Sequence, residues 1–72
     1  MTTMVATVQE AQQGSLLVRD RRTAQEVFVH TPFARRFRPG DIVRIQYSGA
    51  MTMSIPPQIT AIRIFRIGSC GC

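Results

Sequence analysis

Arginine is the residue type in this chain whose chemistry most clearly points to a binding role. All nine basic residues are arginine and the formal net charge is +5. A guanidinium group is planar, carries five N–H donors and binds phosphate oxygens in pairs. Six arginines form two groups, Arg19, Arg21 and Arg22, and then Arg35, Arg36 and Arg38. We expect both groups to lie in neighbouring loops and to form one basic rim that attracts polyanions.

Two alternatives stand beside this interpretation. The use of arginine alone reflects codon bias in a GC-rich genome, or the loop arginines form a solvated surface without a binding role. Asp20 and Glu26 then partly offset the first arginine group.

An aromatic ring accompanies the first arginine group. On the strand expected over residues 25–30, Val27 and Val29 point inward, so Phe28 and His30 point outward, as Arg19 does on the strand before it. An exposed ring beside a cation suits single-stranded nucleic acid, because the ring stacks on a base and the cation binds phosphate. The alternative is that Phe28 packs on Leu17 and that His30 merely ends its strand.

The predicted nucleic-acid-binding residues are therefore Arg19, Arg21, Arg22, Phe28, His30, Arg35 and Arg36.

Catalytic and metal chemistry find little support. The four acidic residues are scattered, Asp41 is used by a turn, and no second histidine is present to act as a base. Cys70 and Cys72 with His30 fall short of the four ligands of structural zinc. We predict no enzyme activity, no cofactor and no metal. An intermolecular metal site or a disulfide-linked dimer is the alternative for the cysteines.

Pro39-Gly40-Asp41 is predicted to form a turn that starts the clearest strand of the chain. Proline presets φ, glycine permits positive φ, and the aspartate side chain bonds nearby backbone N–H groups. A strand over residues 41–47 follows, with Val43, Ile45 and Tyr47 on one face.

Further strands are predicted over residues 4–11, 15–20, 25–30 and 58–67, with about one helical turn over residues 33–37. Arg63 and Phe65 point outward on the last strand. The predicted core consists of Val5 or Ala6, Val8, Leu16, Val18, Val27, Val29, Phe37, Val43, Ile45, Tyr47, Ile62 and Ile64.

This pattern predicts an all-β domain, a five-stranded OB-fold-like barrel, closed or partly open, with one short helical turn between strands three and four. Closing the sheet hides its edges, which a domain this small must do. We expect one domain over residues 1–67 and a flexible tail over residues 68–72.

Two features carry a resemblance over residues 5–47: Glu26-Val27-Phe28-Val29-His30 with the arginine-rich link after it, and Pro39-Gly40-Asp41-Ile42-Val43. Both resemble the S1-type OB domains, particularly the bacterial translation initiation factor 1 family. The resemblance implies an OB barrel and nucleic-acid binding.

After Tyr47 the chain departs from that family. The stretch Ser-Gly-Ala-Met-Thr-x-Ser-x-Pro-x-Gln over residues 48–58 is more similar to uncharacterised small OB-like domains of Gram-positive bacteria. This departure argues against ribosome binding. It favours the uncharacterised family over the translation factor. The alternative function is a protein-interaction domain of uncharacterised role, without nucleic-acid binding, that binds a partner through residues 48–57.

No apolar run reaches the length of a membrane span. The first residues lack the basic and apolar regions of a secretory signal. We therefore expect a cytoplasmic monomer that does not associate with membranes.

Overall fold

The architecture is all-β, as the sequence predicts. A computed structural model describes residues 1–69, and Cys70 to Cys72 lie outside them. The strands are β1 (Thr2–Gln12), β2 (Ser15–Asp20), β3 (Glu26–His30), β4 (Asp41–Tyr47), β5 (Gln58–Thr60) and β6 (Arg63–Ser69). A 3₁₀ helix, Ala34–Arg36, lies between β3 and β4. The predicted helical turn is thereby confirmed.

The strands form one open sheet in the order β5-β3-β2-β1-β4-β6. All pairings are antiparallel except that of β3 with β5, which is parallel. The prediction of five strands in a barrel is therefore wrong. There are six strands in an unclosed sheet, because the strand predicted over residues 58–67 is broken in two.

The break lies at Ala61 and Ile62, where the chain changes its pairing partner. β5 pairs with β3, whereas β6 pairs with β4. Between them, Ala61 N donates to His30 O at 3.0 Å and Ile62 N donates to Gln46 O at 2.7 Å. Because two residues join the two edge strands, the sheet must curl until its edges approach each other.

The concave side of this curled sheet encloses the core. The buried apolar residues are Met4, Ala6, Val8, Leu16, Val18, Val27, Val29, Ala34, Phe37, Val43, Ile45, Tyr47 and Ile59. The predicted inward faces of the first four strands are thereby confirmed.

The core prediction is wrong for the last predicted strand, over residues 58–67. Ile62 is 54% exposed and Ile64 only packs against the core, whereas Ile59 is buried. The break changes which alternate residues point inward, so a continuous strand was the wrong basis for this part of the core.

The turn before β4 has the predicted geometry. Gly40 has φ 95°, and Asp41 N donates to Arg38 O at 3.0 Å. Asp41 Oδ2 accepts a hydrogen bond from Arg38 N at 2.9 Å. Gly40 N also donates to Val8 O at 2.8 Å, which attaches the turn to β1.

Two further predictions concern the chain as a whole. β6 runs to Ser69, so the predicted domain end at residue 67 falls inside a strand. The remainder of the predicted tail lies outside the described residues. Within residues 1–69, no helix has the length and apolarity needed to cross a membrane.

Candidate nucleic-acid interface

The outer face of β2 and β3 carries Arg19, Phe28 and His30, as predicted, but Arg19 and His30 have partners within the protein. Arg19 lies opposite Glu26 in the ladder. The side-chain amide of Gln9 bridges this pair. The Gln9 amide oxygen accepts a hydrogen bond from Arg19 Nε at 3.1 Å, and the Gln9 amide nitrogen donates to Glu26 Oε2 at 2.8 Å. His30 Nε2 lies 2.8 Å from Gln58 Oε1. These contacts reduce the capacity of this face to bind phosphate.

Phe28 lies in an apolar groove of about 780 Å³ formed with the segment over residues 51–57. Its ring is half-buried, and it lies opposite Leu17 in the ladder. Phe28 N donates to Pro57 O at 2.9 Å, which holds the segment against β3. Phe28 therefore contributes to an apolar surface whose one acidic lining residue is Glu26.

The two arginine groups lie at opposite ends of β2. Arg21 N donates to Val5 O at 3.0 Å and Arg22 N donates to Asp20 Oδ1 at 2.8 Å, just after β2 ends. Arg35 borders Gln12 and Gln13, just before β2 begins. Six residues of extended chain span about 17 Å. The single basic rim expected from the sequence does not form.

A different cleft unites arginine with aromatic rings. It has a volume of about 600 Å³ and lies between the 3₁₀ helix and β6. We call it the basic cleft, and its lining residues are Thr31, Pro32, Phe33, Arg36, Phe37, Ala61, Ile62, Arg63, Ile64, Phe65 and Arg66.

The 3₁₀ helix explains one side of this cleft. Phe33 N donates to Thr31 Oγ1 at 3.2 Å and Arg36 N donates to Phe33 O at 3.0 Å. Ala34 and Phe37 are buried and anchor the helix on the core. Residues three apart overlie each other on a 3₁₀ helix. Arg36 accordingly lies over Phe33, with Cζ 5.0 Å from the ring centroid.

β6 forms the other side. Phe65 lies opposite Arg44 on β4, and Arg63 lies opposite Gln46. Phe33 is 50% exposed and Phe65 is 46% exposed, so part of each ring is open to solvent beside the arginines. The cleft therefore offers two accessible rings and the side chains of Arg36, Arg63 and Arg66.

The charge of the basic cleft is positive. No acidic residue within residues 1–69 lines it. Asp41 Oδ1 approaches Arg66 Nη1 at 3.9 Å, but Asp41 is buried and its other oxygen accepts from Arg38 N. The Arg66 side chain is 62% exposed and this weak contact leaves it accessible.

Of the predicted site residues, Arg36 alone lines the basic cleft. The other arginine and phenylalanine residues that line it and were not among the predicted site residues are Phe33, Phe37, Arg63, Phe65 and Arg66. Two local signals were available, the three-residue spacing of Phe33 and Arg36 and the alternation of Arg63 and Phe65. Neither signal showed that the two segments lie side by side.

No protein-family model, no curated protein and no solved structure matches the chain significantly. Within residues 1–69, no group of three or more potential metal ligands occurs.

Proposed function

We propose that this chain is a small basic binding module that contacts single-stranded RNA or DNA through the basic cleft. The observation that carries the proposal is the combination of Phe33 and Phe65, both about half exposed, with three arginines in one cleft. The module acts as a cytoplasmic monomer and has no catalytic role.

The cleft chemistry favours unpaired strands. Bases in a duplex stack on each other, whereas an unpaired base stacks on an aromatic side chain, which is worth about 1–3 kcal/mol per base. Arg36 occupies one face of Phe33. The other face of that ring is the surface on which a base stacks, while Arg63 and Arg66 bind the phosphates on either side.

The order of strand pairing supports an OB-type architecture as part of this proposal. β1, β2 and β3 form a meander, β4 returns to β1, and the last segment pairs first with β3 in parallel and then with β4. OB folds bind oligonucleotides on strands two and three of a five-stranded barrel, whereas this sheet has six strands and the basic cleft lies between the 3₁₀ helix and β6. The break at Ala61 and Ile62 then divides the fifth strand into β5 and β6.

The arginines outside the cleft have a secondary role. Arg35 lies within the 3₁₀ helix next to Arg36, and Arg21 and Arg22 follow the far end of β2. Their charge raises the rate of encounter with any polyanion but does not position a base.

Charge-matched variants test the proposal. Arg63→Gln and Arg22→Gln each remove one positive charge, the first inside the cleft and the second outside it. We expect Arg63→Gln to weaken binding of a fluorescent single-stranded octanucleotide about tenfold and to lower the salt slope by about 0.7, the value for one phosphate contact. Fluorescence anisotropy at 50 and 200 mM salt measures both quantities.

Arg22→Gln is the control and is expected to change the affinity less than about threefold, since it alters long-range attraction only. Equal losses in the two variants would show that binding reflects net charge and would exclude the cleft as the site. Circular dichroism confirms that both variants fold.

A second candidate function is a protein-interaction domain, favoured by the apolar groove beside Phe28. The segment over residues 48–57 contains no charged residue, and Met53 and Ile55 are each 99% exposed. Thr52 and Ser54 hydroxyls lie 2.7 Å apart and Thr52 Oγ1 accepts from Gln58 N at 2.9 Å, which holds the segment in place. In NMR titrations, shifts confined to this segment on adding a protein partner, with none on adding oligonucleotide, would favour this function.

A further inference from the structure

The free edge of β6 borders the basic cleft. β6 is the last strand of the sheet and pairs with β4 along one edge. Among the described residues, no strand pairs with its other edge. Residues 61–66 line the cleft, so this unpaired edge faces the same space as Phe33 and Arg36.

A free strand edge is a row of hydrogen-bonding groups. In an antiparallel ladder, alternate residues direct N–H and C=O toward the partner, and the residues between them direct these groups away. β6 has seven residues, so several such groups point away from β4. Proteins usually cover or shorten edges of this length, because they pair readily with other molecules.

We propose, on the basis of the proposed function, that the backbone of this free edge hydrogen-bonds the Watson–Crick edges of bases in the bound strand. These base edges carry adjacent amide-like donors and acceptors, and they are available only when the base is unpaired. Stacking on Phe33 or Phe65 brings a base into the cleft that β6 lines. The basic cleft thus recognises unpaired nucleobases and not phosphate alone.

The positive charge of the basic cleft favours nucleic acid over a peptide as the molecule that binds the free edge of β6. A free strand edge is also the usual site for an added peptide strand. Arg36, Arg63 and Arg66 line this cleft without an acidic residue among the described lining residues, so a polyanion gains attraction that an uncharged peptide does not. An acidic peptide is the competitor that the experiment must include.

The first test compares four octameric probes by anisotropy competition at one salt concentration. They are a mixed-sequence single strand, an abasic single strand, a duplex and an oligoglutamate peptide. We expect the base-bearing strand to bind at least about tenfold more tightly than the other three, the effect of a stacked base and of net hydrogen bonds to its edge.

Each outcome is decisive. Equal binding of the base-bearing and abasic strands would overturn the inference and would also remove base stacking from the proposed function, leaving contact with the phosphates alone. Binding of none of the nucleic acids would remove the proposed function itself. Oligoglutamate that binds as tightly as the single strand would assign the edge to a peptide and overturn the inference.

The second test addresses the backbone directly. Proline lacks an N–H and is tolerated on an edge strand only where that N–H points away from the ladder. Ile64→Pro and Phe65→Pro lie at adjacent positions, so one removes an N–H that faces β4 and the other removes an N–H that faces the cleft. Ile64→Ala and Phe65→Ala control for the side chains.

We expect one proline variant to lose its fold by circular dichroism. The other should fold and lose the preference for the base-bearing over the abasic strand, relative to its alanine control. A folded proline variant that keeps this preference would overturn the inference.

If both proline variants unfold, amide hydrogen exchange of the original chain decides. The free-edge amides of β6 should exchange several times more slowly with the base-bearing strand than with the abasic strand. Equal exchange would overturn the inference.

Discussion

Individual residues fix the backbone where the segment over residues 48–57 leaves β4. Gly49 has φ +98°, a conformation that side chains with a Cβ rarely adopt. A Cβ built at this position lies 2.9 Å from Thr2 Oγ1. Gly14 also has positive φ, +82°, but a Cβ there meets nothing within 4 Å. A substitution at Gly14 therefore introduces backbone strain alone, whereas one at Gly49 introduces backbone strain and a steric clash with Thr2.

We predict that Gly14→Ala lowers the free energy of unfolding by about 1–2 kcal/mol, the cost of a left-handed conformation, and that Gly49→Ala lowers it further. Urea unfolding measures both values. The double variant Thr2→Ala with Gly49→Ala should recover the difference, because the clashing hydroxyl is gone and the energies of touching residues are not additive. Equal costs for the two glycines would show that Thr2 moves aside freely.

At the scale of elements, β5 is short yet closes one side of the core. It has three residues, and Ile59 in its centre is 2% exposed. Its parallel pairing with β3 places Ile59 opposite Val29, which is also buried. Ile55, four residues earlier, is 99% exposed although its side chain is identical. Position relative to β3 determines the contribution of each isoleucine to stability.

Ile59→Ala should accordingly cost about 2–5 kcal/mol of unfolding free energy, from lost burial and the cavity left behind. Ile55→Ala removes the same atoms from an exposed position and should change stability by less than about 0.5 kcal/mol. Thermal unfolding followed by circular dichroism compares them. Similar costs for the two variants would mean that β5 does not pack on β3.

At the scale of the whole molecule, the charge distribution opposes compactness. Nine arginines and four acidic residues share a 72-residue chain. The acidic residues are partly occupied within the protein, since Glu26 interacts with Gln9, Asp20 with Arg22 N, and Asp41 with Arg38 N. Folding therefore brings like charges together over a small surface, and the positive potential is available to a polyanionic partner.

Added salt should stabilise the chain, because screening weakens this repulsion. Between 10 and 200 mM sodium chloride we expect the unfolding free energy to rise by on the order of 1 kcal/mol. The variant Arg22→Glu lowers the formal net charge by two and should show a smaller rise. A fall in stability with salt would indicate that attractive ion pairs outweigh the repulsion.

The features that could be predicted from the sequence are those that depend on neighbouring residues. The turn at Pro39, Gly40 and Asp41 follows from the φ preferences and hydrogen bonding of those three residues. Alternation of apolar side chains predicted the bounds of β2 and β4 as observed and the inward faces of the first four strands. It also predicted the all-β class and the helical turn, because period-two patterns and proline positions are local signals.

The other features depend on contacts between segments that are distant in the chain. The apolar run over residues 58–67 reads as one strand, and its break appears only because β3 and β4 offer two different partners on the two sides of Ala61 and Ile62. Likewise, Phe33 and Phe65 are far apart in the chain and meet at one cleft because the sheet curls. Pairing partners and curvature are set by contacts between distant segments, which no local pattern encodes.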